Sequence, residues 1–225
     1  DDAQSMVRFL LYANEFDVEG LIATAYGSHG THPDYIRSLV LAYGNVWENL
    51  AARDKAYPSC EYLLSLIKTG NARCGMEELG EGKDTEGSEW IIRTADRPDS
   101  RPLWILLWGG ALDLAQAIWK VKTTRPAHEF QKFLLRLRIY AIGDQYDECG
   151  PWIRANCPEL FYITNYHSFR GMYRGGNTEP VSPGWVEENI YGHGALGQCY
   201  PMYQGGDPFG EVRGIKEGDT PSFLY

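Results

Sequence analysis

The sequence has no closely spaced pair of cysteines and no long apolar run. Its five cysteines are an odd number, widely spaced and without a C-x-x-C pair. This pattern argues against a zinc site or a disulfide scaffold and leaves one or two bridges open. No apolar run approaches the roughly 20 residues of a membrane span, and no signal peptide is present. A membrane protein is therefore not predicted.

Basic residues are also scarce. The chain has 21 Lys and Arg against 30 Asp and Glu, which gives a formal net charge of −9 and a pI near 5.1. This charge repels a polyanion, and no basic run offers one a local binding site. We therefore expect no nucleic-acid partner.

The remaining composition is that of a folded domain. With 225 residues, of which 44% are hydrophobic, the chain can bury one sizeable core. We expect a single domain over residues 1–225. Because the first helix lacks a preceding strand and the last residues end within an element, this domain is expected to be truncated at both ends.

Short buried strands alternate with amphipathic helices along the chain. Runs of β-branched and apolar residues predict strands at 18–25, 103–108, 138–142 and 160–164. Apolar residues at helical spacing predict helices at 6–14, 35–52, 60–68, 88–95, 113–121, 126–137, 152–156 and 183–191. Residues 70–87 and 192–218 are predicted to be loops. This alternation predicts an α/β fold in which a mostly parallel central sheet is flanked by helices on both faces.

Polar side chains follow the predicted strands, at the edge where open α/β sheets bind ligands. Asp1 and Asp2 occupy such a position before the first helix, and oxygen ligands without thiols favour a hard cation such as Ca²⁺. Each polar residue also has a plain interpretation, as a helix cap, a turn residue or a hydrogen-bonded loop histidine. The candidates for substrate binding are Ser28, His29, Asp113, Asp144, Asp147 and Asn165.

Several motifs resemble one family across nearly the whole chain. Asp1-Asp2-Ala3 resembles the end of the D-x-D-P-G-x-D-D-A signature of nucleoside hydrolases. The continuation through Arg8 is more similar to a narrower family, the nucleoside-hydrolase-like domain of bacterial and fungal proteins described as cellulose-binding. Other stretches similar to that family lie at 19–24, 80–91, 108–110, 113–117, 150–154 and 217–223. The resemblance implies a Rossmann-like, nucleoside-hydrolase-like fold.

The resemblance also implies a calcium site. In nucleoside hydrolases Ca²⁺ is held by signature aspartates, a backbone carbonyl and a late aspartate, and it binds the ribose diol and the attacking water. Carried over position by position, the implied metal ligands are Asp1, Asp2, Asp219 and the carbonyl of Leu112.

Only part of the catalytic set implied by the resemblance can be matched to residues of this sequence. The usual general base, an earlier signature aspartate, would precede residue 1, so Asp1, His29 and His167 are the candidates within this chain. Gly218 stands where nucleoside hydrolases often carry the histidine that protonates the leaving base. This departure puts leaving-group protonation, and nucleosides as substrates, in question.

Three functions follow as hypotheses. The first is a metal-dependent hydrolase of N-glycosidic or related glycosyl bonds; the alternative is a non-catalytic carbohydrate (cellulose)-binding domain on the same fold. A third is an interaction domain whose partner docks on the acidic loop at 70–87. Trp104 and Trp108 are expected in the core. The aromatic residues expected to stack on sugars are Tyr166, Tyr173, Trp185, Tyr191 and Tyr200.

The expected partner is a small-molecule glycoside or nucleoside, or a polysaccharide. Homo-oligomerisation is left open. So is the compartment, because the resemblance favours secretion while the odd number of cysteines opposes it.

Overall fold

The computed structural model describes residues 1–25, 27 and 29–224. Its strands are β1 (Leu21–Ala23), β2 (Ile67–Thr69), β3 (Leu103–Leu107), β4 (Leu137–Ala141), β5 (Phe161–Thr164), β6 (Tyr203–Asp207) and β7 (Gly210–Gly214). Its α-helices are α1 (Asp2–Leu11), α2 (Pro33–Gly44), α3 (Trp47–Arg53), α4 (Cys60–Ser65), α5 (Glu86–Ala95), α6 (Leu112–Thr124), α7 (Ala127–Arg136), α8 (Cys149–Asn156), α9 (Pro183–Val186), α10 (Gly194–Gln198) and α11 (Pro221–Leu224).

Residue contacts divide the chain into two compact units, each built of separate stretches. The first unit comprises Asp1–Val18, Asp34–Leu66 and His167–Tyr225, and the second comprises Glu19–Pro33 and Ile67–Tyr166. The single domain over residues 1–225 remains a prediction.

The second unit contains parallel sheets. Strands β3, β4 and β5 are hydrogen-bonded in that order and run parallel, and β1 pairs in parallel with β2. Leu137 and Ile139 on β4 are fully buried, and they share a hydrophobic core with Ile118 of α6 and Ile153 of α8. The predicted α/β fold with parallel strands and flanking helices is confirmed.

The predicted core position of Trp104 is wrong. Side chains alternate between the two faces of a strand, so Trp104 points away from the core that its neighbours Leu103 and Ile105 contact. It is 43% exposed and packs edge-on against Phe161, with ring centroids 5.8 Å apart. Only one face of β3 therefore packs against this core.

The first unit is built around the apolar face of α1. Leu10 of α1, Tyr43 of α2 and Leu63 of α4 are fully buried. Phe9 packs edge-on against Phe223 of α11, with ring centroids 5.3 Å apart. This contact joins the start of the chain to the segment that follows Asp219.

Several predicted boundaries need correction. The helix predicted at 60–68 ends at Ser65, and its last two residues belong to strand β2, because so short a segment fits either period. The helix predicted at 35–52 is split into α2 and α3 after Gly44. The predicted loop at 192–218 contains α10 and an antiparallel hairpin of β6 and β7. Its glycines hide strand periodicity, and Gly210 turns with a φ of +115°.

All five cysteines lie in the described part of the chain and are free thiols, so neither of the one or two bridges left open by the sequence is formed in this structure. None of the described helices combines the length and apolar content needed to cross a bilayer.

Candidate metal centre

Three of the four predicted metal ligands lie together in the first unit. Carboxylate oxygens of Asp1, Asp2 and Asp219, one from each, lie within 4.8 Å of one another. Asp219 is only 2% exposed, whereas Asp1 is half-buried and Asp2 is exposed. We call these three residues the carboxylate cluster. The fourth predicted ligand, Leu112, is the first residue of α6 in the second unit, and its carbonyl remains a prediction.

The helix end does not use the Asp1 carboxylate as a cap. Asp1 is the N-cap residue of α1, yet its side chain makes no capping hydrogen bond. Its carbonyl accepts a hydrogen bond from the Ser5 amide at 3.0 Å, which begins the helix. Its Oδ2 lies 3.7 Å from the Nζ of Lys216. Helix capping therefore does not account for the position of the Asp1 carboxylate.

Asp219 is fixed through its backbone. Its amide donates to the Oγ of Ser5 at 3.3 Å, and its carbonyl accepts from the amide and hydroxyl of Ser222 at 3.0 and 2.7 Å. These bonds set the turn before α11 and do not involve the carboxylate.

The two oxygens of the Asp219 carboxylate differ in what surrounds them. Its Oδ2 is buried and has no hydrogen-bond partner among the described residues. Burial, and then the negative charge of Asp2, raise the pKa of Asp219 well above its usual range. Leaving a buried acceptor unpaired is unfavourable. Carboxylate oxygens gathered without thiols are a donor set that hard divalent cations prefer.

Gln4 ties the chain that carries Asp219 to α1. Its Nε2 donates to the carbonyls of Pro201 and Gly214 at 2.7 and 2.8 Å. Its Oε1 accepts from the amides of Lys216 and Glu217 at 2.7 and 3.1 Å. One fully buried side chain thus fixes three neighbouring segments of backbone.

Glu217 also fixes the loop that carries Asp219. It is fully buried, forms an ion pair with Arg8, and accepts hydrogen bonds from the hydroxyls of Tyr200 and Thr220 at 2.7 and 3.1 Å. Its φ of +35° lies in the left-handed region, which side chains other than glycine rarely adopt. The ion pair and hydrogen bonds hold this strained residue two positions before Asp219.

Gly218 lies directly against the cluster. A Cβ at this position would stand 2.5 Å from Asp1 Oδ2 and 3.5 Å from Cδ2 of Phe169. The first distance is shorter than carbon and oxygen atoms allow, and the second is ordinary contact. A side chain at 218, such as the histidine of nucleoside hydrolases, would therefore have to displace the Asp1 carboxylate.

The substrate-binding candidates of the second unit have protein partners. Asp113, which is buried, accepts hydrogen bonds from the Asn71 amide at 3.1 Å and from the Thr85 hydroxyl at 2.5 Å. Burial raises the pKa of Asp113. Asn165 is buried and donates from its Nδ2 to the Tyr140 hydroxyl at 3.1 Å. Their role in substrate binding remains a prediction.

Asp144 and Asp147 lie in the loop after β4. Asp144 contacts the Arg154 guanidinium at 2.7 Å and accepts from the Tyr166 hydroxyl at 2.5 Å. Asp147 Oδ1 accepts from the Cys149 amide at 3.0 Å, whereas its Oδ2 is buried without a partner among the described residues. Burial raises the pKa of Asp147. Both residues therefore remain candidates for the ligand-binding edge predicted for this sheet.

The histidine candidates lie in irregular segments. His29 is exposed, and its carbonyl contacts Nε2 of His32 at 2.6 Å. His167 is also exposed and precedes the 3-10 turn Ser168–Met172. Ser28 lies outside the described residues. The catalytic roles of His29 and His167, and the substrate-binding roles of Ser28 and His29, remain predictions.

Two of the five predicted stacking aromatics are unsuitable. Tyr173 and Tyr200 are buried, and the Tyr200 hydroxyl is engaged by Glu217. Tyr166 is half exposed and remains a candidate. Sequence reasoning also missed Gln4, Arg8 and Glu217, because nothing in their local spacing marks the long-range contacts they make.

Known proteins resemble this chain over its whole length. The family model described as "Cellulose-binding Sde182, nucleoside hydrolase-like domain" matches residues 1–225. A solved structure, of a nucleoside hydrolase-related hypothetical protein from Saccharophagus degradans that is associated with carbohydrate metabolism, is 38% identical with a TM-score of 0.85. The match covers 100% of this chain and 51% of that one, so this chain spans about half its length. The comparison with curated proteins gave no match.

Proposed function

Since the chain belongs to the family of cellulose-binding Sde182 nucleoside hydrolase-like domains, we propose that its carboxylate cluster holds Ca²⁺ and presents it to the hydroxyl groups of a glycoside. Asp1, Asp2 and Asp219 would supply the protein oxygens. The bound ligand would be a small-molecule glycoside, a nucleoside or the sugar units of a polysaccharide.

The unpartnered Oδ2 of Asp219 carries this proposal. An ordinary structural carboxylate finds protein donors, as Asp144 does with Arg154 and Tyr166. Asp219 instead faces two further carboxylates while almost fully buried. A divalent cation would offset two of the three negative charges, with Lys216 Nζ lying 3.7 Å from the Asp1 carboxylate, and would supply a partner for the buried oxygen.

The chemistry proposed first is hydrolysis of a glycosyl bond. When bound, the cation would supply a fixed positive charge that orients a sugar diol and makes a nearby water easier to deprotonate. Asp1, half-buried and without a capping bond, is the cluster residue proposed to accept a proton from that water. Water would add to the anomeric carbon as the glycosyl bond breaks, and the leaving group must become protonated or depart as a stable anion.

A second candidate is carbohydrate binding without hydrolysis. Gly218 favours it, because this position has no side chain to protonate a leaving group and the Asp1 carboxylate stands against it. The cellulose-binding description of the family is in keeping with this candidate. Both candidates use the same cation and the same sugar hydroxyls.

Calcium titration tests the part shared by both candidates. We expect saturable Ca²⁺ binding by calorimetry in the wild-type chain and a large loss of affinity in Asp2→Ala. Asp34→Ala is the matched control, because Asp34 also lies in the first turn of a helix and its side chain is 94% exposed. Absence of Ca²⁺ binding in the wild type would contradict the proposal.

Three further assays separate hydrolysis from binding. Retention on cellulose, with Ca²⁺ or with EDTA, measures cation-dependent binding. Release of p-nitrophenol from a p-nitrophenyl riboside measures hydrolysis that needs no leaving-group acid, and release of hypoxanthine from inosine measures hydrolysis that does. Retention lost in EDTA without release from either riboside would support the binding candidate. Release from the nitrophenyl riboside would support the hydrolase.

A further inference from the structure

Lys216 places a positive charge beside the carboxylate cluster. Its Nζ lies 3.7 Å from Asp1 Oδ2, a distance at which the two charges interact but do not form a hydrogen bond. Both side chains are largely buried, with 15% of Lys216 and 23% of Asp1 exposed. Because partly buried charges are screened less than exposed ones, this ammonium contributes to the field that an ion in the cluster meets.

Contacts other than the one with Asp1 hold Lys216 in this position. Its Nζ donates to the Tyr203 hydroxyl at 3.0 Å and lies over the Tyr203 ring, 4.6 Å from the centroid. Its amide donates to Gln4 Oε1 at 2.7 Å, one of the four hydrogen bonds of that side chain. We therefore expect the ammonium to stay near the cluster when Asp1 binds a cation.

We propose that Lys216 is an internal counter-ion of the carboxylate cluster, which offsets part of its negative charge when no cation is bound and repels a cation that enters. This inference rests on the proposed function and adds a residue that sets the affinity and charge selectivity of the site. Carboxylates attract a cation in proportion to its charge, so three of them favour a trivalent over a divalent ion. A fixed ammonium repels each ion in the same proportion and weakens that preference.

Lys216→Met tests this role, with Ca²⁺ and Tb³⁺ as the probes. Methionine keeps the backbone hydrogen bond to Gln4 and much of the apolar side chain, and it removes the charge. Even with the screening of bulk water, removing a unit charge roughly 6 Å from a divalent ion should tighten Ca²⁺ binding about tenfold. Because the repulsion scales with the charge of the ion, the logarithm of the Tb³⁺ affinity should rise about one and a half times as much, which corresponds to about 30-fold.

Titration calorimetry gives the Ca²⁺ affinities, and competition between the two ions gives those of Tb³⁺. Lys55→Met is the matched control, because Lys55 is an exposed lysine of the same unit and its loss changes the net charge equally. Lys216→Gln also removes the charge and repeats the test if Lys216→Met does not fold. The amino group of Asp1 also interacts with Asp219, but all these variants share it, so its charge does not affect the comparison.

Each outcome separates the inference from the proposed function. Tighter Ca²⁺ binding in Lys216→Met than in Lys55→Met, with the larger gain for Tb³⁺, supports the counter-ion role. An unchanged or lower Ca²⁺ affinity overturns it and leaves the proposed function standing, as does an equal gain for both ions, which would indicate a steric effect. Binding by Lys216→Met but not by the wild type supports the counter-ion role and contradicts the proposed function. No Ca²⁺ binding by either protein overturns both.

Discussion

Replacing Asp219 with asparagine should stabilise the protein when no cation is bound. In the described part of the chain, the wild-type Oδ2 is buried without a hydrogen-bond partner, and the carboxylate lies beside two others. Asparagine removes the charge and can donate its amide to Asp1 or Asp2. An unsatisfied buried polar group costs about 1–3 kcal/mol, so we expect a comparable gain in the free energy of unfolding. For a chain of this size that corresponds to a melting temperature roughly 2–12 °C higher.

Calcium should reverse the order of the two proteins. At a concentration one thousand times its dissociation constant, a ligand adds about 4.1 kcal/mol to the stability of the form that binds it, which exceeds the advantage of about 1–3 kcal/mol expected for Asp219→Asn in EDTA. Wild type should gain this stabilisation, whereas Asp219→Asn should gain little. Scanning calorimetry of wild type and Asp219→Asn, each in EDTA and in excess Ca²⁺, gives the four melting temperatures to be compared. The exposed Asp2, changed to asparagine, is the control that should raise stability in EDTA less.

Two results would refute this reasoning. A lower melting temperature for Asp219→Asn in EDTA would mean that the carboxylate is a stabilising structural group. An unchanged response to Ca²⁺ in Asp219→Asn would mean that this oxygen is not a ligand.

Other predictions test the surrounding structure. Arg8→Met should lower the free energy of unfolding by about 3–5 kcal/mol, because it leaves Glu217 buried without its ion pair; Glu217→Gln in the same chain should recover part of this loss in urea unfolding. The Arg174 guanidinium lowers the pKa of Asp207 to about 2. The pKa of an aspartate in the unfolded chain is near 3.9, so the stabilisation from this ion pair is complete above about pH 4 and is lost as the pH falls towards 2. In a series of melting temperatures against pH, Asp207→Asn should therefore show a smaller fall at low pH than the wild type. Cys199, which is exposed, should react with a thiol reagent in the native protein, whereas the two buried cysteines should react only after unfolding.

Except for β2, which was predicted as the end of a helix, the parallel strands were predictable because their residues carry a local signal. Runs such as Leu103–Leu107 are apolar, short and bounded by turn residues, so their length and composition identify strands. The β6–β7 hairpin was missed because Tyr203–Asp207 contains two glycines and no apolar alternation. There, the pairing with β7 decides the structure, and pairing is not a local property.

The candidate site divides in the same way. Asp1, Asp2 and Asp219 could be named because a family motif marks them. Gln4 and Glu217 could not, since each acts through a partner more than two hundred positions away, and only the folded chain shows which buried polar groups meet.

The loop around Asp219 contains features that stability alone would not retain. Asp219 keeps a buried oxygen for which the described residues supply no hydrogen-bond partner, and Glu217, two positions earlier, keeps a left-handed backbone. Such strain persists only where neighbouring contacts impose it, and it concentrates at functional sites. Here two residues of α1 hold the loop in this strained conformation: Gln4 through four hydrogen bonds, and Arg8 through its ion pair with Glu217. Because these contacts fix the loop and none of them neutralises Asp219, they support our proposal that a bound cation pairs with this carboxylate.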